Sequence, residues 1–326
     1  MKISIIVPVY NVEKYIRKCL DSIIHQINVP QSFFEVVVVN DGSVDNSLTI
    51  IEEFRQHYSN ISVLTQSNQG LSIARNNGLS IARGEYIWFI DSDDWIARNS
   101  LEILLRLTDE KKPDVIHFRA ANSICDKLQI RTKKFLDIER SYTGIEIICQ
   151  NIWDTCVPFY IYKRDFLEKN HLFFFPNIFH EDNEFTPRML YYAQKVYLIN
   201  DVLYNVSQNP QSITRSINLK KSFDLILISQ LLYKFAMENI SDKVVKLRFF
   251  QFIALNINNA LYGTRYMNSL VVKRFNQELR QNKELFYCLS HSKIYKYTIE
   301  GYLFKLIPNY SFIYQLLNLL RFRRCK

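Results

Sequence analysis

The stretch GEYIWFIDSDDWI, residues 84 to 96, decides the fold class of this chain. Its apolar and aromatic run ends abruptly in three aspartates, Asp91, Asp93 and Asp94. Such runs are typical of strands covered on both faces, so the pattern predicts a buried strand that carries carboxylates at its carboxyl end. Crowded carboxylates repel one another, and oxygen ligands favour Mg²⁺ or Mn²⁺ over zinc, which predicts a metal that holds a diphosphate. The alternative is that Ser92 or Asp94 caps a helix and the other acids are solvated.

Three more apolar runs precede this stretch, and helical patterns lie between them. The runs are Ile3 to Val9, Val36 to Val39 and Ile61 to Leu64. The helical patterns have apolar residues three or four positions apart and cover residues 16–24, 48–58 and 71–81. Asn11 is the predicted N-cap of the first helix. This alternation predicts a parallel sheet with right-handed crossovers, whose ligand site lies outside the carboxyl ends of the strands.

The composition is that of an ordinary globular chain with a basic C-terminal third. Among 326 residues, 48% are hydrophobic, enough for one large core and a smaller helical part. The net charge is +9, but residues 220–326 hold 18 basic and 6 acidic residues, +12, and the rest of the chain is −3. The C-terminal third is therefore expected to meet an anionic partner.

The cysteines and the apolar segments indicate in which cellular compartment the protein is located. The six cysteines form no Cys-x-x-Cys pair, and several lie in apolar stretches, as reduced core cysteines do. Met1 leads directly into an apolar run that Pro8 interrupts, which does not resemble a signal peptide. No apolar stretch reaches the roughly 18 residues needed to span a bilayer. These features predict a cytoplasmic protein, soluble or peripheral on the inner face of the cytoplasmic membrane.

Short polar motifs follow the earlier apolar runs as the aspartates follow the fourth. They are Pro8-Val9-Tyr10-Asn11, Val39-Asn40-Asp41-Gly42-Ser43, and Asn68-Gln69-Gly70 with Ala74-Arg75-Asn76. Tyr10 offers a ring on which a nucleobase can stack, and Asp41 offers an acceptor for an imide N–H, a combination that suits uracil. Gly42 leaves room for a ligand near the backbone, and Arg75 is a candidate diphosphate contact. For Tyr10 and Arg75 taken alone, core packing and surface charge are the alternatives.

This ordered set of motifs resembles the family 2 glycosyltransferases, closely through residues 1–96 and more faintly to about 215. The resemblance implies the GT-A fold, an α/β fold with a mostly parallel central sheet flanked by helices, here with a C-terminal helical extension. It implies that Asp91 lies near the ribose and metal and that Asp93 ligates a divalent cation, Mn²⁺ or Mg²⁺. It also implies donor-binding roles for Pro8, Tyr10, Asn11, Asp41, Gly42, Ser43, Gly70, Arg75, Asp91 and Ser92.

A second acidic motif, His180-Glu181-Asp182-Asn183-Glu184-Phe185, resembles the Glu-Asp motif that precedes a helix in this family. On that resemblance Asp182 is the expected base for the acceptor hydroxyl, Glu181 is the second choice and Glu184 the third. A helix N-terminus would keep Asp182 ionised, as a base must be. Pro187 departs from the motif and leaves the choice between Glu181 and Asp182 open. The family also implies inversion at the anomeric carbon.

The last part of the chain is interpreted as two further features. Asn209 to Arg215 resembles the family's loop that closes over the donor, and a polar interdomain turn is the alternative. Residues 1–218 are the predicted catalytic domain and 219–326 a basic helical region. There an apolar helical face, followed by basic residues, predicts an interfacial helix on an anionic membrane, with a core helix and a solvated basic tail as the alternative. These residues are Phe312, Ile313, Leu316, Leu317 and Leu320, then Arg321, Arg323, Arg324 and Lys326.

The sequence therefore predicts a metal-dependent, inverting hexosyltransferase. Its donor would be a UDP-sugar, and its acceptor a hydroxyl of a cell-surface polysaccharide or a lipid-linked oligosaccharide precursor. Nucleotidyltransferases share the fold, but they carry a glycine- and arginine-rich loop where this chain has Val9-Tyr10-Asn11-Val12-Glu13. A catalytically silent homologue that binds glycan or scaffolds a membrane assembly is the non-enzyme alternative. No nucleic-acid partner is expected, because no DNA- or RNA-binding module is recognised.

Overall fold

A computed structural model describes residues 1–124, 127–138, 140–209 and 218–322. The predictions for Arg215, Arg323, Arg324 and Lys326 lie outside these residues, and those for Leu320 and Arg321 concern side chains that are not described. The chain divides into two compact units. The sheet unit comprises Met1–Asn177 and Met189–Ser212, and the helical unit comprises Ile178–Arg188 and Ile213–Lys326.

Strands and helices alternate through the first part of the chain, and helices alone follow. The strands are β1 (Ile3–Val9), β2 (Phe34–Asp41), β3 (Ile61–Gln66), β4 (Tyr86–Phe89), β5 (Trp95–Ile96), β6 (Val115–Ile124), β7 (Lys127–Ile130), β8 (Ser141–Tyr142), β9 (Tyr160–Lys163) and β10 (Val196–Val206). The earlier helices are α1 (Ile16–Ile24), α2 (Ser47–His57), α3 (Leu71–Ile81), α4 (Ser100–Lys111), α5 (Gly144–Gln150), α6 (Arg164–Lys169) and α7 (Glu181–Tyr192). The later helices are α8 (Lys220–Asn239), α9 (Lys243–Gly263), α10 (Ser269–Gln281), α11 (Glu284–His291), α12 (Tyr295–Leu306) and α13 (Tyr310–Phe322).

The sheet unit is built on one mixed sheet with the order β3-β2-β1-β4-β9-β6-β10-β5, in which β7 also pairs with β6 and β8 with β10. The neighbours β3, β2, β1 and β4 are all parallel, as the alternation of strands and helices predicts. Beyond β4 the sheet mixes directions, because β9 is antiparallel to β4 and β6 whereas β10 is parallel to β6. The predicted α/β class with flanking helices is confirmed, and its parallel part is the N-terminal half of the sheet.

The helices pack closely on the parallel strands. Every residue of β1 and β2 is buried, as expected for strands covered on both faces. The predicted apolar face of α1 is buried at all five positions, Ile16, Cys19, Leu20, Ile23 and Ile24. On α3, a Cβ added at Gly78 would lie 2.4 Å from Ile6 Cγ2, so the missing side chain lets α3 approach β1. This packing brings the starts of the helices to the carboxyl edge of the sheet.

The helical unit is formed around two long helices, α8 and α9, of 20 and 21 residues. Aromatic pairs fill its interior, such as Phe235 with Phe249 and Phe286 with Tyr310. The apolar face predicted near the C-terminus is divided in the structure, because Ile313 is buried whereas Phe312 and Leu316 are exposed. Among the helices that the structure describes, none combines the length and the apolar character that crossing a bilayer requires.

Candidate functional site

The loops after β1 and β2 are joined by hydrogen bonds at the carboxyl edge of the sheet. The Asn11 N–H donates to Ser43 Oγ at 3.1 Å, and Asn11 Oδ1 accepts the Val44 N–H at 2.9 Å. The predicted capping role of Asn11 is wrong, because α1 begins at Ile16 and the Asn11 side chain is used by the neighbouring loop. Its φ of 52° lies in the left-handed region, which asparagine tolerates better than most residues.

Asp41 ends β2 and organises the loop between β3 and α3. Its buried carboxylate accepts the side-chain N–H of Gln66 at 2.7 Å and the backbone N–H groups of Gln69 and Gly70, each at 2.8 Å. Gly42 and Gly70 have φ values of 75° and 87°, which favour glycine. A Cβ at Gly42 would lie 2.8 Å from the Asn68 nitrogen, whereas one at Gly70 would meet open space. The missing side chain of Gly42 therefore lets the Asn68 backbone approach closely, and the space beside Gly70 is open. The approach of a ligand to Gly42 stays a prediction.

The three aspartates after β4 have different partners. Asp91 Oδ1 accepts a hydrogen bond from the buried guanidinium of Arg75 at 2.7 Å. Asp94 is buried and accepts from Tyr204 Oη at 2.8 Å and from the Ser207 N–H at 2.7 Å. Asp93 is half-buried and accepts from Asn209 Nδ2 at 3.0 Å. The capping alternative for Ser92 or Asp94 is thus wrong, since β5 and not a helix follows this motif, and Asp91 is partly exposed but paired with Arg75.

Burial and the neighbouring carboxylates raise the pKa values of three groups at this edge, Asp94, Cys19 and Tyr204. Burial, followed by the charges of Asp93 and Asp91, raises the pKa of Asp94 well above its usual range. Burial and the same three carboxylates raise the pKa of the Cys19 thiol on α1. The pKa of Tyr204 is raised by burial first and then by Asp94 and Asp91. The carboxyl end of β4 is therefore a place of concentrated negative charge.

A divalent cation fits the chemistry of this corner. Asp91 and Asp93 offer oxygen ligands, and Mg²⁺ is usually held by one or two carboxylates together with substrate phosphates rather than by a complete protein cage. In the described ranges, no three His, Cys, Asp or Glu side chains form a cluster that could hold a metal ion by themselves. A cation here would thus rely on a phosphate-bearing ligand to complete its coordination.

The other predicted donor-binding residues lie at the ends of β1, β2 and β4. Tyr10 is 48% exposed, so its ring is available to a ligand. Pro8 is buried within β1 beside Val39, and Ser92 is buried between the aspartates. Ser43 is half-buried and bound to Asn11. The structure thus joins Asn11 to Ser43, Asp41 to Gly70, and Arg75 to Asp91.

Tyr204 and Ser207 were not predicted as parts of the site, and Asn209 was predicted only as the start of the loop that closes over the donor. They lie on β10 or directly after it, and β10 pairs with β5, so Tyr204 is opposite Ile96. The Asp91 N–H donates to Tyr204 Oη at 3.1 Å, which links this residue to two of the aspartates. A buried tyrosine needs a hydrogen-bond partner, and that was the signal available in the sequence. The partner lies 110 residues earlier in the chain, which no local pattern reveals.

The second acidic motif opens α7 in the helical unit, with Glu181, Asp182 and Glu184 in its first turn. Glu184 is buried and forms two hydrogen bonds of 2.6 Å with the Arg188 guanidinium, one turn later. Glu181 is also buried, whereas Asp182 is half-buried. Asp182 Oδ1 accepts the Asn183 N–H at 2.8 Å. Of these three acids, Asp182 is therefore the most accessible to a ligand.

Residues of α8 and α9 hold this motif in place. The Phe179 N–H donates to Asp224 Oδ2 on α8 at 2.8 Å, and Asn183 Nδ2 donates to Asn256 Oδ1 on α9 at 2.9 Å. Asn256 is completely buried. His180 has a φ of 61°, and burial lowers the pKa of its ring. The start of α7 is thus fixed by two helices whose role the sequence did not indicate.

Comparison with known proteins identifies the family of this architecture. Residues 4–170 match the family described as "Glycosyl transferase family 2". The uncharacterized glycosyltransferase EpsJ of Bacillus subtilis is 33% identical over 246 residues, which cover 73% of this chain and 70% of EpsJ. The poly(ribitol-phosphate) beta-N-acetylglucosaminyltransferase TarS of Staphylococcus aureus is 32% identical over 208 residues, 63% of this chain and 35% of TarS.

Solved structures agree on the fold. The crystal structure of S. aureus TarS 1–349 in complex with UDP-GlcNAc superimposes with a TM-score of 0.67 at 24% identity and covers 93% of this chain and 89% of that one. The mannosyltransferase PcManGT of Pyrobaculum calidifontis, in complex with GDP-Man and Mn²⁺, superimposes with a TM-score of 0.56 at 16% identity, over 98% and 87% of the two chains. The predicted GT-A fold is confirmed. Because the family description covers half of the chain and EpsJ aligns over more than two thirds of both sequences, the chain belongs to glycosyl transferase family 2.

Proposed function

We propose that this protein is a metal-dependent, inverting glycosyltransferase. It transfers a sugar from a UDP-sugar to a hydroxyl of a cell-surface polysaccharide or of its lipid-linked precursor. The observation that carries the proposal is the sorting of the aspartates, in which Arg75 binds Asp91, Tyr204 binds Asp94, and Asp93 keeps part of its surface accessible. The UDP-GlcNAc complex of TarS and the poly(ribitol-phosphate) acceptor in the name of TarS support the donor and acceptor classes.

The donor nucleoside binds at the ends of β1 and β2. The exposed ring of Tyr10 stacks on the uracil. Asp41 already accepts three N–H groups. A carboxylate has about four acceptor positions, so one remains for the imide N–H of uracil. The open space beside Gly70 leaves room for the nucleotide near the start of α3.

Asp93 and Asp91 hold the divalent cation, Mn²⁺ or Mg²⁺. When bound, the cation neutralises negative charge on the departing diphosphate. The Mn²⁺ in the complex of the related fold PcManGT supports this choice of metal. Arg75 is 2% exposed and fixes Asp91 through its guanidinium, which limits the freedom of one carboxylate before the donor arrives.

Asp182 removes the proton from the acceptor hydroxyl. As the acceptor oxygen bonds to the anomeric carbon, its proton passes to Asp182, and the bond from that carbon to the diphosphate oxygen breaks with its electrons leaving on UDP. A single displacement of this kind inverts the anomeric configuration. The N-terminal position of Asp182 on α7 favours its ionised form, and Glu181 is the second candidate.

The division into domains follows the same proposal. Residues 1–218 form the catalytic domain, and residues 219–326 form a basic helical region that supports the acid-bearing segment 178–188. The hydrogen bonds from Asp224 and Asn256 to this segment favour that role for the helices.

The proposal is tested by UDP release from a panel of UDP-sugars, measured with Mn²⁺, with Mg²⁺ and with a chelator. We expect release from at least one donor, dependent on the metal. Asp93→Ala should abolish metal-dependent donor binding, because it removes the accessible carboxylate. Asp201→Ala, which alters an exposed acid at the register irregularity within β10, should bind the donor as the unaltered protein does. If no donor released UDP under any of these conditions, the catalytically silent homologue would be the better explanation.

A further inference from the structure

Helix α13 has apolar side chains on two opposite faces. Tyr310, Ile313 and Tyr314 are buried and attach the helix to its own unit. Phe312, Leu316 and Leu319 are 57%, 44% and 65% exposed. Because these three residues are four and three positions apart, they form one stripe, the exposed α13 face. No acidic residue occurs anywhere on α13.

A groove lies beside this stripe within the helical unit. Its cavity of about 330 Å³ is lined by the end of α9, the following 3-10 turn and α13, including Leu261, Tyr262, Arg265, Tyr314 and Leu319. Leu319 belongs both to the groove and to the exposed α13 face. The Arg265 guanidinium lies 3.4 Å from the ring centre of Tyr262 and 4.5 Å from that of Tyr266. The groove is therefore apolar and aromatic, with a cation at its wall.

The segment that carries most of these features is mainly basic. Residues 264–322 contain nine Lys and Arg and three Asp and Glu. One of the three acids, Glu300, is fully buried, where it accepts a hydrogen bond from Asn258 and pairs with Lys296, so two acids remain against eight other bases. Two exposed tyrosines, Tyr295 and Tyr302, lie on α12, the helix that precedes α13 in the chain. Tyrosine suits a boundary between water and hydrocarbon, because one end of its side chain is apolar and the other polar.

We propose that the exposed α13 face and its groove dock onto an anionic phospholipid bilayer. Phe312, Leu316 and Leu319 enter the boundary between headgroups and acyl chains, and Arg265 with the neighbouring basic residues faces the lipid phosphates. A second copy of the chain fits this surface less well, because two surfaces of the same strong positive charge repel. The inference goes beyond the proposed sugar transfer and does not depend on it.

The test is co-sedimentation of the full-length chain with vesicles. We expect binding to vesicles that contain phosphatidylglycerol in phosphatidylcholine, weak binding to phosphatidylcholine alone, and loss of binding at high salt, since salt screens the headgroup charge. Leu316→Glu combined with Leu319→Glu should lower the vesicle partition coefficient about tenfold or more. The matched control is Leu128→Glu combined with Leu136→Glu, which places the same charges on two exposed leucines of the sheet unit and should bind as the unaltered chain does.

Three results would overturn the inference. The first is that the unaltered chain binds charged and neutral vesicles equally, or binds neither. This result does not involve a variant, so it is decisive even if the altered α13 does not fold. Another is an equal loss in the control variant. The third is dimerisation without vesicles, measured by light scattering and abolished by the α13 substitutions, which would make this face a contact between copies of the chain. Circular dichroism and thermal unfolding show whether the variants remain folded.

Discussion

The sheet unit and the helical unit differ in where their functional or buried polar residues lie. In the sheet unit, Asp41, Asp91 and Asp93 stand at strand ends, where parallel topology gathers residues from distant parts of the sequence. In the helical unit, polar residues such as Asn256 and Glu300 lie buried along helices and have a few specific partners each. The parallel topology of the sheet brings polar residues from several strands to one edge. In the helical unit each buried polar residue instead has its own separate partners. Under the proposal the strand edge binds the donor, and Asn256 supports the segment that carries the expected base.

The largest expected effect tests whether the helical unit contributes to the chemical step. Asp182→Asn should leave donor binding intact and lower the transfer rate by about 10² to 10⁴, the usual contribution of a general base. The measurements are kcat and the Kd for the UDP-sugar. Asp201→Asn, an exposed acid of the sheet unit, should change neither. If Asp182→Asn lost affinity for the donor, this carboxylate would be a donor-binding group, and its proposed role as the base would be wrong.

Glu300 should make the helical unit less stable as the pH rises. Burial raises the pKa of Glu300 from 4.5 to about 7. The contribution of its protonated form to the unfolding free energy is therefore fully present below about pH 4.5 and is lost as the pH rises through 7. The unfolding free energy of Glu300→Gln relative to the unaltered chain should increase by about 3 kcal/mol from pH 4.5 to pH 7. Urea unfolding at several pH values measures this difference. Glu238→Gln, which alters an exposed acid on α8, should show no such slope.

His117 should have the opposite effect in the sheet unit. It is buried, its ring stacks on Tyr160, and burial lowers its pKa from 6.5 to about 3. Its neutral form stabilises the fold above pH 6.5, and this contribution is lost as the pH falls towards 3. The unfolding free energy of His117→Phe relative to the unaltered chain should increase by about 2 kcal/mol when the pH is lowered from 7 to 5.

The control for His117 is His57→Phe, at an exposed position on α2, which should show no dependence of this kind. If His117→Phe and Glu300→Gln changed with pH in the same direction, the contrast between the two units would not hold for their buried titratable groups.

The smallest effect concerns Asn256, the positioning residue for the acidic motif. Asn256→Leu removes the acceptor for Asn183 Nδ2, and the start of α7 loses one of its supports. We expect kcat to fall about tenfold, roughly 1.4 kcal/mol, without a change in the KM for the donor. Asn259→Leu, on the exposed side of the same helix, is the matched control. Equal losses in the two variants, or a change in KM alone, would argue that Asn256 has a general structural role.

Much of the sheet unit could be predicted, because its signals are local. The apolar run of β1 has the predicted bounds, Ile3–Val9, and the motifs after β1, β2 and β4 meet at one edge. The errors occur where a side chain has more than one option. Asparagine is a common helix cap, but the side-chain oxygen of Asn11 accepts a hydrogen bond from the Val44 N–H instead. Two glycines, Gly42 and Gly70, both have positive φ, and only the structure shows which one faces open space.

The remaining parts of the site could not be predicted, because they depend on distant pairing. Tyr204 contacts Asp94 only because β10 lies beside β5. Asp224 and Asn256 reach the acidic motif from helices whose apolar residues occur on several sides, so their sequence does not single out one polar residue. The GT-A fold is recognised from its motifs, whereas the residues that hold the motifs in place are found only in three dimensions.

The pairing of β10 with β5 also determines how much of the chain is needed to keep the aspartates in order. The family match ends at residue 170, after all four N-terminal motifs. The donors to Asp94 and Asp93 nevertheless come from Tyr204, Ser207 and Asn209. A fragment cut at the end of the match would contain the four N-terminal motifs and lack the hydrogen bonds that arrange two of its acids. The part of the chain that keeps these aspartates in order is therefore longer than the part that matches the family.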